Sequence, residues 1–210
     1  METPQSFAVP ASEPLLCERL LLGVTGSPAA LSMPQYVLMM RQSLATTVHV
    51  MMSRGAQRFV RPYTMRLFAG GWVYTDTHQV AGSVLVPHID LTQDADLLLV
   101  MPATANLLGK AAHGICDDLI STAVVACPAP VVLVPAMNGT MWRSRAVQRN
   151  VGLARELGYH VVEPGIGLQL ADMKEAPGVM PPLEHILGDL IGIVAAHRQA
   201  ARTAAEGGEP

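Results

Sequence analysis

"ADLLLVMPATANLLGKAAHG", residues 95–114, decides the fold. After Asp96 the run to Ala103 is apolar without alternation, the pattern of a strand buried on both faces of a parallel sheet. Thr104 and Asn106 follow among small residues, and helical apolar spacing then takes over. A strand that stops in small and polar residues and turns into a helix sets those residues on the rim of the sheet. In open α/β folds that rim is where ligands bind.

The same unit recurs on both sides. "RLLLGVT" (19–25), "TTVHVMMS" (46–53), "PVVLVPA" (130–136) and "YHVVEP" (159–164) read as further strands. "SPAALSMPQYVLMMRQSL" (27–44), "SRAVQRNVGLAREL" (144–157) and "PPLEHILGDLIGIVAAHRQAAR" (181–202) read as helices, and the segment from 106 to 126 as a helix broken at Gly114. Ser27 followed by Pro28 has the form of a helix start, Ser capping free amides and Pro suiting the first helical position. "GAQRFV" (55–60) reads as a helical turn. Residues 61–87 are less regular, with "GGWVYTD" (70–76) a short strand or a flap. Strands alternating with helices imply a single doubly wound, Rossmann-like α/β domain over residues 17–198, its largely parallel sheet flanked by helices. Residues 1–16 read as a flexible arm and 199–210 as a disordered tail.

Composition narrows the function. Half of the 210 residues are apolar, 15% are charged, and the net charge is −3. No basic stretch points to nucleic acid. The most apolar window, "AVVACPAPVVLVPAM", is short and broken by three prolines, so no membrane span is expected. Cys17, Cys116 and Cys127 are sparse and lack zinc-ligand spacing, which fits a reducing cytoplasm. The first residues lack the basic and apolar regions of a signal peptide. The expected location is the cytoplasm.

Three rim segments carry candidate chemistry. "GVTGSPAA" (23–30) joins a strand to a helix with two glycines and two hydroxyls. It reads either as an anion site, most often for phosphate, or as a capped tight turn. It has neither the dinucleotide fingerprint nor the P-loop lysine. Thr104 and Asn106 read as a cofactor-facing loop or as a helix cap. Asp117 and Asp118 read as helix charges or caps in preference to a metal pair, so no metal is expected. His88 stands out among seven histidines because it comes shortly before the strand that ends in "PATAN". In "PAMNGTMW" (135–142), Asn138 and Trp142 follow directly on another buried strand.

Taken together, "PATAN", "GICDDLIST" and "PAMNGTMW", with His88 upstream, resemble the homo-oligomeric flavin-containing cysteine decarboxylases. The resemblance covers roughly residues 19–195. It implies that Thr25, Gly26, Ser27 and Ser53 bind the phosphate and ribityl part of a flavin. Thr104, Ala105, Asn106 and Leu107 would line the flavin, with Ala136 nearby. FMN is the expected form, with FAD the alternative. His88 would be the catalytic base, and Asn138 would hold the substrate carboxylate. Met137, Trp142, Leu168, Gln169 and Met173 would complete the substrate site. Where the family loop reads Pro-Ala-Ser-Ala-Asn-Thr, Thr104 here keeps the hydroxyl and Leu107 loses one, so Leu107 reads more as packing than as a polar contact. The resemblance also implies a homo-oligomer, a trimer or dodecamer.

Within that family, "EPGIGLQLADMKEAPGVMPPLE" (163–184) separates the members. Pantothenate-pathway decarboxylases resemble Gly-x-Leu-Ala-Cys-Gly here, and that cysteine donates a proton. This chain has no cysteine after Cys127. It is therefore most similar to peptidyl-cysteine decarboxylases, which stop at the oxidised enethiol. The expected partner is the C-terminus of a ribosomally made precursor peptide. Residues 164–180, with Pro or Gly at both ends, read as its mobile clamp. A phosphopantothenoylcysteine decarboxylase and a non-catalytic regulatory flavoprotein are the alternatives.

Overall fold

The computed structural model describes residues 15–80, 84–170 and 173–206. Its elements run β1 (Cys17–Val24), α1 (Met33–Ser43), β2 (Ala45–Met52), α2 (Pro62–Ala69), β3 (Gly70–Tyr74), α3 (Pro87–Gln93) and β4 (Leu97–Ala103). Then come α4 (Ala105–His113), α5 (Leu119–Ala126), β5 (Val131–Pro135), α6 (Gly139–Trp142), α7 (Arg145–Glu156), β6 (His160–Val161), β7 (Gly165–Leu168), β8 (Glu175–Val179) and α8 (Leu183–Glu206).

Six strands form one sheet in the order β3-β2-β1-β4-β5-β6, every neighbouring pair parallel. The chain winds outward from β1 in one direction and from β4 in the other. The carboxyl ends of β1 and β4 therefore flank the topological switch point, where such sheets open a crevice.

Period-two alternation divides the core. Leu20, Leu22 and Val24 of β1 join Leu97, Leu99 and Met101 of β4 on the face covered by α1, α2 and α8. Leu21, Leu98 and Val100 point the other way, against Leu108 of α4, Ile120 of α5 and Val151 of α7. Both faces are dry, which explains the unbroken apolar run that opened the reading.

Local differences from the sequence expectation have physical causes. Pro28 starts only a 3-10 turn through Ser32, and the Ser27 hydroxyl makes no capping bond. The α-helix begins at Met33, where Pro34 occupies the first turn. Part of the stretch read as irregular is helix α2, ended by Gly70 in the left-handed region at φ 66°. Gly114, at φ 64°, does break the segment after β4 into α4 and α5. His88 lies within the first turn of α3, not ahead of it. Helix α8 runs to Glu206, through residues read as tail. Most of the N-terminal arm, residues 1–14, lies outside the described residues.

Within the stretch read as a mobile clamp, β7 (Gly165–Leu168) and β8 (Glu175–Val179) pair as an antiparallel hairpin. Its base is docked: the Met137 N–H donates to Gly178 O at 2.8 Å. Gly178 has φ +111°, and a Cβ there would lie 2.5 Å from Met137 O. A Cβ on Gly139 would meet Gln169 Nε2, Ala176 Cβ and Pro177 O, each at 2.9 Å. Gly178, expected as part of a hinge, thus serves as a close-approach point, as does Gly139.

Candidate functional site

The rim holds two clefts. The first, of about 720 Å³, lies between the loops after β1, β2, β3 and β4 and the start of α5. Gly26, Ser53, Gly55, Thr104, Ala105 and Asn106 stand on its wall. The Thr25 hydroxyl donates to Pro102 O at 2.7 Å and accepts the Thr104 N–H at 2.9 Å, locking the ends of β1 and β4 together. The loops after β1 and β2 touch: a Cβ on Gly26 would lie 2.8 Å from Gly55 Cα. Ser53 Oγ accepts the Ala56 N–H at 3.1 Å and fixes the second loop.

Asp117 and Asp118 lie on the same wall, and Lys110 Nζ bonds a carboxylate oxygen of each at 2.6 Å. Asp118 also caps α5, accepting the Ser121 N–H at 2.9 Å. Burial pulls the Asp118 carboxyl up, but bonds from Lys110 and Ser121 outweigh it and hold the group below its ordinary value. The pair is thus cap and ion pair. Among the described residues no group of three or more His, Cys, Asp and Glu side chains could hold a metal.

The second cleft, about 490 Å³, adjoins the first across Gly26 and Ser27. Ser27, Ala136, Met137, Asn138, Leu168 and Gln169 line it. Asn138 caps α6: its Oδ1 accepts the N–H groups of Thr140 at 2.8 Å and Met141 at 3.4 Å. Its Nδ2 donates to Gln169 Oε1 at 3.0 Å.

The chain matches the family model described as Flavoprotein over residues 9–195. This chain belongs to the flavoprotein family. It is 43% identical over 120 residues to the coenzyme A biosynthesis bifunctional protein CoaBC of Bacillus subtilis (strain 168), covering 57% of this chain and 30% of that protein. It is 36% identical over 152 residues to CoaBC of Escherichia coli (strain K12), covering 72% of this chain and 37% of that protein. The flavoprotein thus spans well under half the length of these curated relatives. Among solved structures it is similar to the FMN-dependent cysteine decarboxylase SpaF, at TM-score 0.72 and 34% identity, covering 85% of this chain and 97% of that one. The doubly wound fold expected from the strand pattern is the fold of these flavin-dependent decarboxylases.

Does the flavoprotein's first cleft suit a flavin? Gly26 and Gly55 leave backbone, without side chains, where two loops converge, and Thr104–Asn106 offer a flat, small-residue edge with a polar amide. That donor set fits a phosphate-bearing aromatic group.

The structure separates the residues that the resemblance grouped. Gly26, Ser53, Thr104, Ala105 and Asn106 do share the first cleft; Ser27, Ala136, Met137, Asn138, Leu168 and Gln169 share the second. Thr25 is 4% exposed, and its hydroxyl is spent on the backbone. Leu107 is buried in the core beneath α4 and is not on the cleft wall. Trp142 is likewise core, in the same cluster as Val147, Val151 and Ala154 of α7, and is not on the wall of the second cleft. Met173 is 66% exposed at the hairpin tip, outside the cleft wall. His88 lies on neither cleft, and among the described residues its sheltered Nδ1 has no hydrogen-bond partner. His88 and Asn138 therefore do not line a common cleft of one chain.

Sequence reasoning missed Gly55, Lys110 and the Asn138–Gln169 contact. Gly55, two residues after Ser53 in a strand-to-helix turn, repeats the pattern around Gly26 and was detectable. Lys110 is one of only two lysines in the chain. The contact with Gln169 joins positions 31 apart and has no local signal.

Proposed function

We propose that this flavoprotein is an FMN-dependent decarboxylase that oxidatively decarboxylates the C-terminal cysteine of a ribosomally synthesised precursor peptide. The product is a peptidyl aminoenethiol, the half that forms an S-aminovinyl-cysteine-type ring. FMN would be held in the first cleft by Gly26 and Ser53 and by Thr104, Ala105 and Asn106, with Ser27 at its border with the second. When bound, it supplies the hydride acceptor for the cysteine Cβ. His88 takes the thiol proton. The resulting thioaldehyde draws electrons from the neighbouring C–C bond, and carbon dioxide leaves. Asn138 donates an N–H to the carboxylate; as a neutral amide it orients the anion without pairing it with a full charge. The proton taken up by His88 can return to the enethiolate.

The observation that carries the peptide reading is the hairpin over the second cleft. It contains no cysteine, so the proton donor of pantothenate-pathway relatives is missing. It also presents Ile166, Leu168, Leu170 and Met173 exposed, an apolar edge suited to an extended peptide. The separation of His88 from Asn138 supports a homo-oligomer, trimer or dodecamer, in which one copy's His88 serves another's cleft. Exposed Tyr63, Leu67, Leu85 and Ile89 on α2, α3 and their flank offer apolar surface for that contact.

One observation favours a second reading. The identity to CoaBC reaches 43%, which supports 4′-phosphopantothenoylcysteine as substrate. The two readings differ in product mass. Oxidative decarboxylation of a Cys-ending peptide removes carbon dioxide plus two hydrogens; decarboxylation in the coenzyme A pathway removes carbon dioxide alone.

A further inference from the structure

We propose that Gln169 is a positioning residue that fixes the Asn138 amide and leaves it a single N–H for a ligand. The inference rests on the reading that Asn138 faces a substrate carboxylate, and assigns Gln169 a role other than touching that substrate.

The direction of every bond in this network is forced. The Thr140 and Met141 backbone N–H groups can only donate, so the atom of Asn138 that faces them is Oδ1. Nδ2 then faces Gln169, which must answer with Oε1, at 3.0 Å. That leaves Gln169 Nε2 toward Pro177 O at 3.4 Å, a carbonyl that can only accept. Neither amide can be flipped without setting two donors or two acceptors against each other.

The network is sheltered and rigidly backed. Gln169 is 8% exposed. It sits in a closed turn, its N–H donating to Lys174 O and its carbonyl accepting the Met173 N–H, both at 2.9 Å. Glycine at 139 permits the approach, because a Cβ there would lie 2.9 Å from Gln169 Nε2. A primary amide has two N–H bonds. Gln169 takes one, so one remains, and Asn138 stands on the wall of the second cleft. The hairpin thereby sets the direction of the donor on α6 that a carboxylate would meet.

The chain has three asparagines, Asn106, Asn138 and Asn150, so selective ¹⁵N-Asn labelling of the flavin-loaded protein yields three side-chain amides, and Asn138→Ala identifies the one of interest. One of its protons should exchange slowly with solvent. Losing one hydrogen bond is worth roughly a fivefold change, so Gln169→Leu should speed that exchange by about this factor. Gln169→Glu, which keeps an acceptor for Nδ2 but gives up the bond to Pro177 O, should leave it slower than in the Leu variant and guards against a misfolded Leu variant. Binding is read with a peptide ending in Ser, which keeps the carboxylate and lacks the reactive thiol. Gln169→Leu should raise its Kd roughly fivefold in the wild-type background and have no further effect on top of Asn138→Ala. Unchanged Asn138 exchange in Gln169→Leu, or an equal rise in Kd in both backgrounds, overturns the proposal. If Asn138→Ala alone leaves the Kd unchanged, the carboxylate reading fails, while the exchange result still decides the positioning.

Discussion

The hydroxyl of Thr25 accepts the backbone N–H of Thr104 at 2.9 Å, across the switch point of the sheet. It also donates to Pro102 O. Thr25 thus holds the two loops that flank the first cleft at a fixed separation. Thr25→Val keeps the shape and strands the Thr104 N–H. The expected cost is about 1–3 kcal/mol of unfolding free energy. Thr25→Ser should recover most of it. Denaturant titration of both variants measures the difference, and equal stability of Val and Ser would remove the tie from the account.

Gly26 meets Gly55 backbone to backbone. Nothing flexible can yield to a Cβ placed 2.8 Å from the Gly55 Cα. Gly26→Ala should push the loops apart, at a cost of about 1–3 kcal/mol, and the protein should purify with less flavin. Visible absorbance relative to protein absorbance reads the occupancy. Full occupancy in the variant would place the flavin elsewhere.

The Lys110 pair makes stability depend on pH in a defined direction. Burial draws the Lys110 ammonium down, but its bonds to Asp117 and Asp118 outweigh this and raise it above its ordinary 10.5. Its contribution is complete below that value and is lost as pH rises through the raised one. Asp118, held low, contributes above the ordinary carboxylate range and loses this as pH falls through its depressed value. Lys110→Met should cost about 1 kcal/mol near neutrality, a fall in Tm of roughly 2–4 °C. The gap should close in acid, as the carboxylates protonate. A gap independent of pH would mean that the lysine acts by packing.

His88→Asn should keep flavin and assembly and reduce turnover of a Cys-ending peptide by roughly 10²–10⁴. Among the described residues the sheltered Nδ1 of His88 has no hydrogen-bond partner, so no structural bond on that atom is seen there. Near-normal turnover in the variant would return His88 to a packing role.

What was legible in the sequence was what repeats locally. Continuous apolar runs such as Leu97–Ala103 gave the buried strands, and the polar residues after them marked the rim, because both follow from burial on two faces. Thr104 and Asn106 were found this way. Helix α2 was not, since the segment is short and its Pro62 was not taken as a first helical position. Trp142 was misassigned for a related reason, whereas Leu107 lies in the core, as its reading as packing implied. Both sit within rim motifs, but helical geometry turns their side chains inward, and proximity in sequence does not report direction. The hairpin was read as a hinged clamp because its Pro and Gly residues suggest turns; Gly178, with Gly139 of α6, is needed instead for close contact between distant segments. Long-range pairs such as Asn138–Gln169 and Thr25–Thr104 leave no periodic trace.

The central claim is tested most directly by mass spectrometry of a Cys-ending precursor peptide incubated in air with the purified yellow protein, beside a parallel reaction with 4′-phosphopantothenoylcysteine. The account predicts a peptide lighter by carbon dioxide and two hydrogens, and no conversion of the small substrate to the saturated amine-thiol product. An unchanged peptide together with loss of carbon dioxide alone from 4′-phosphopantothenoylcysteine would contradict it.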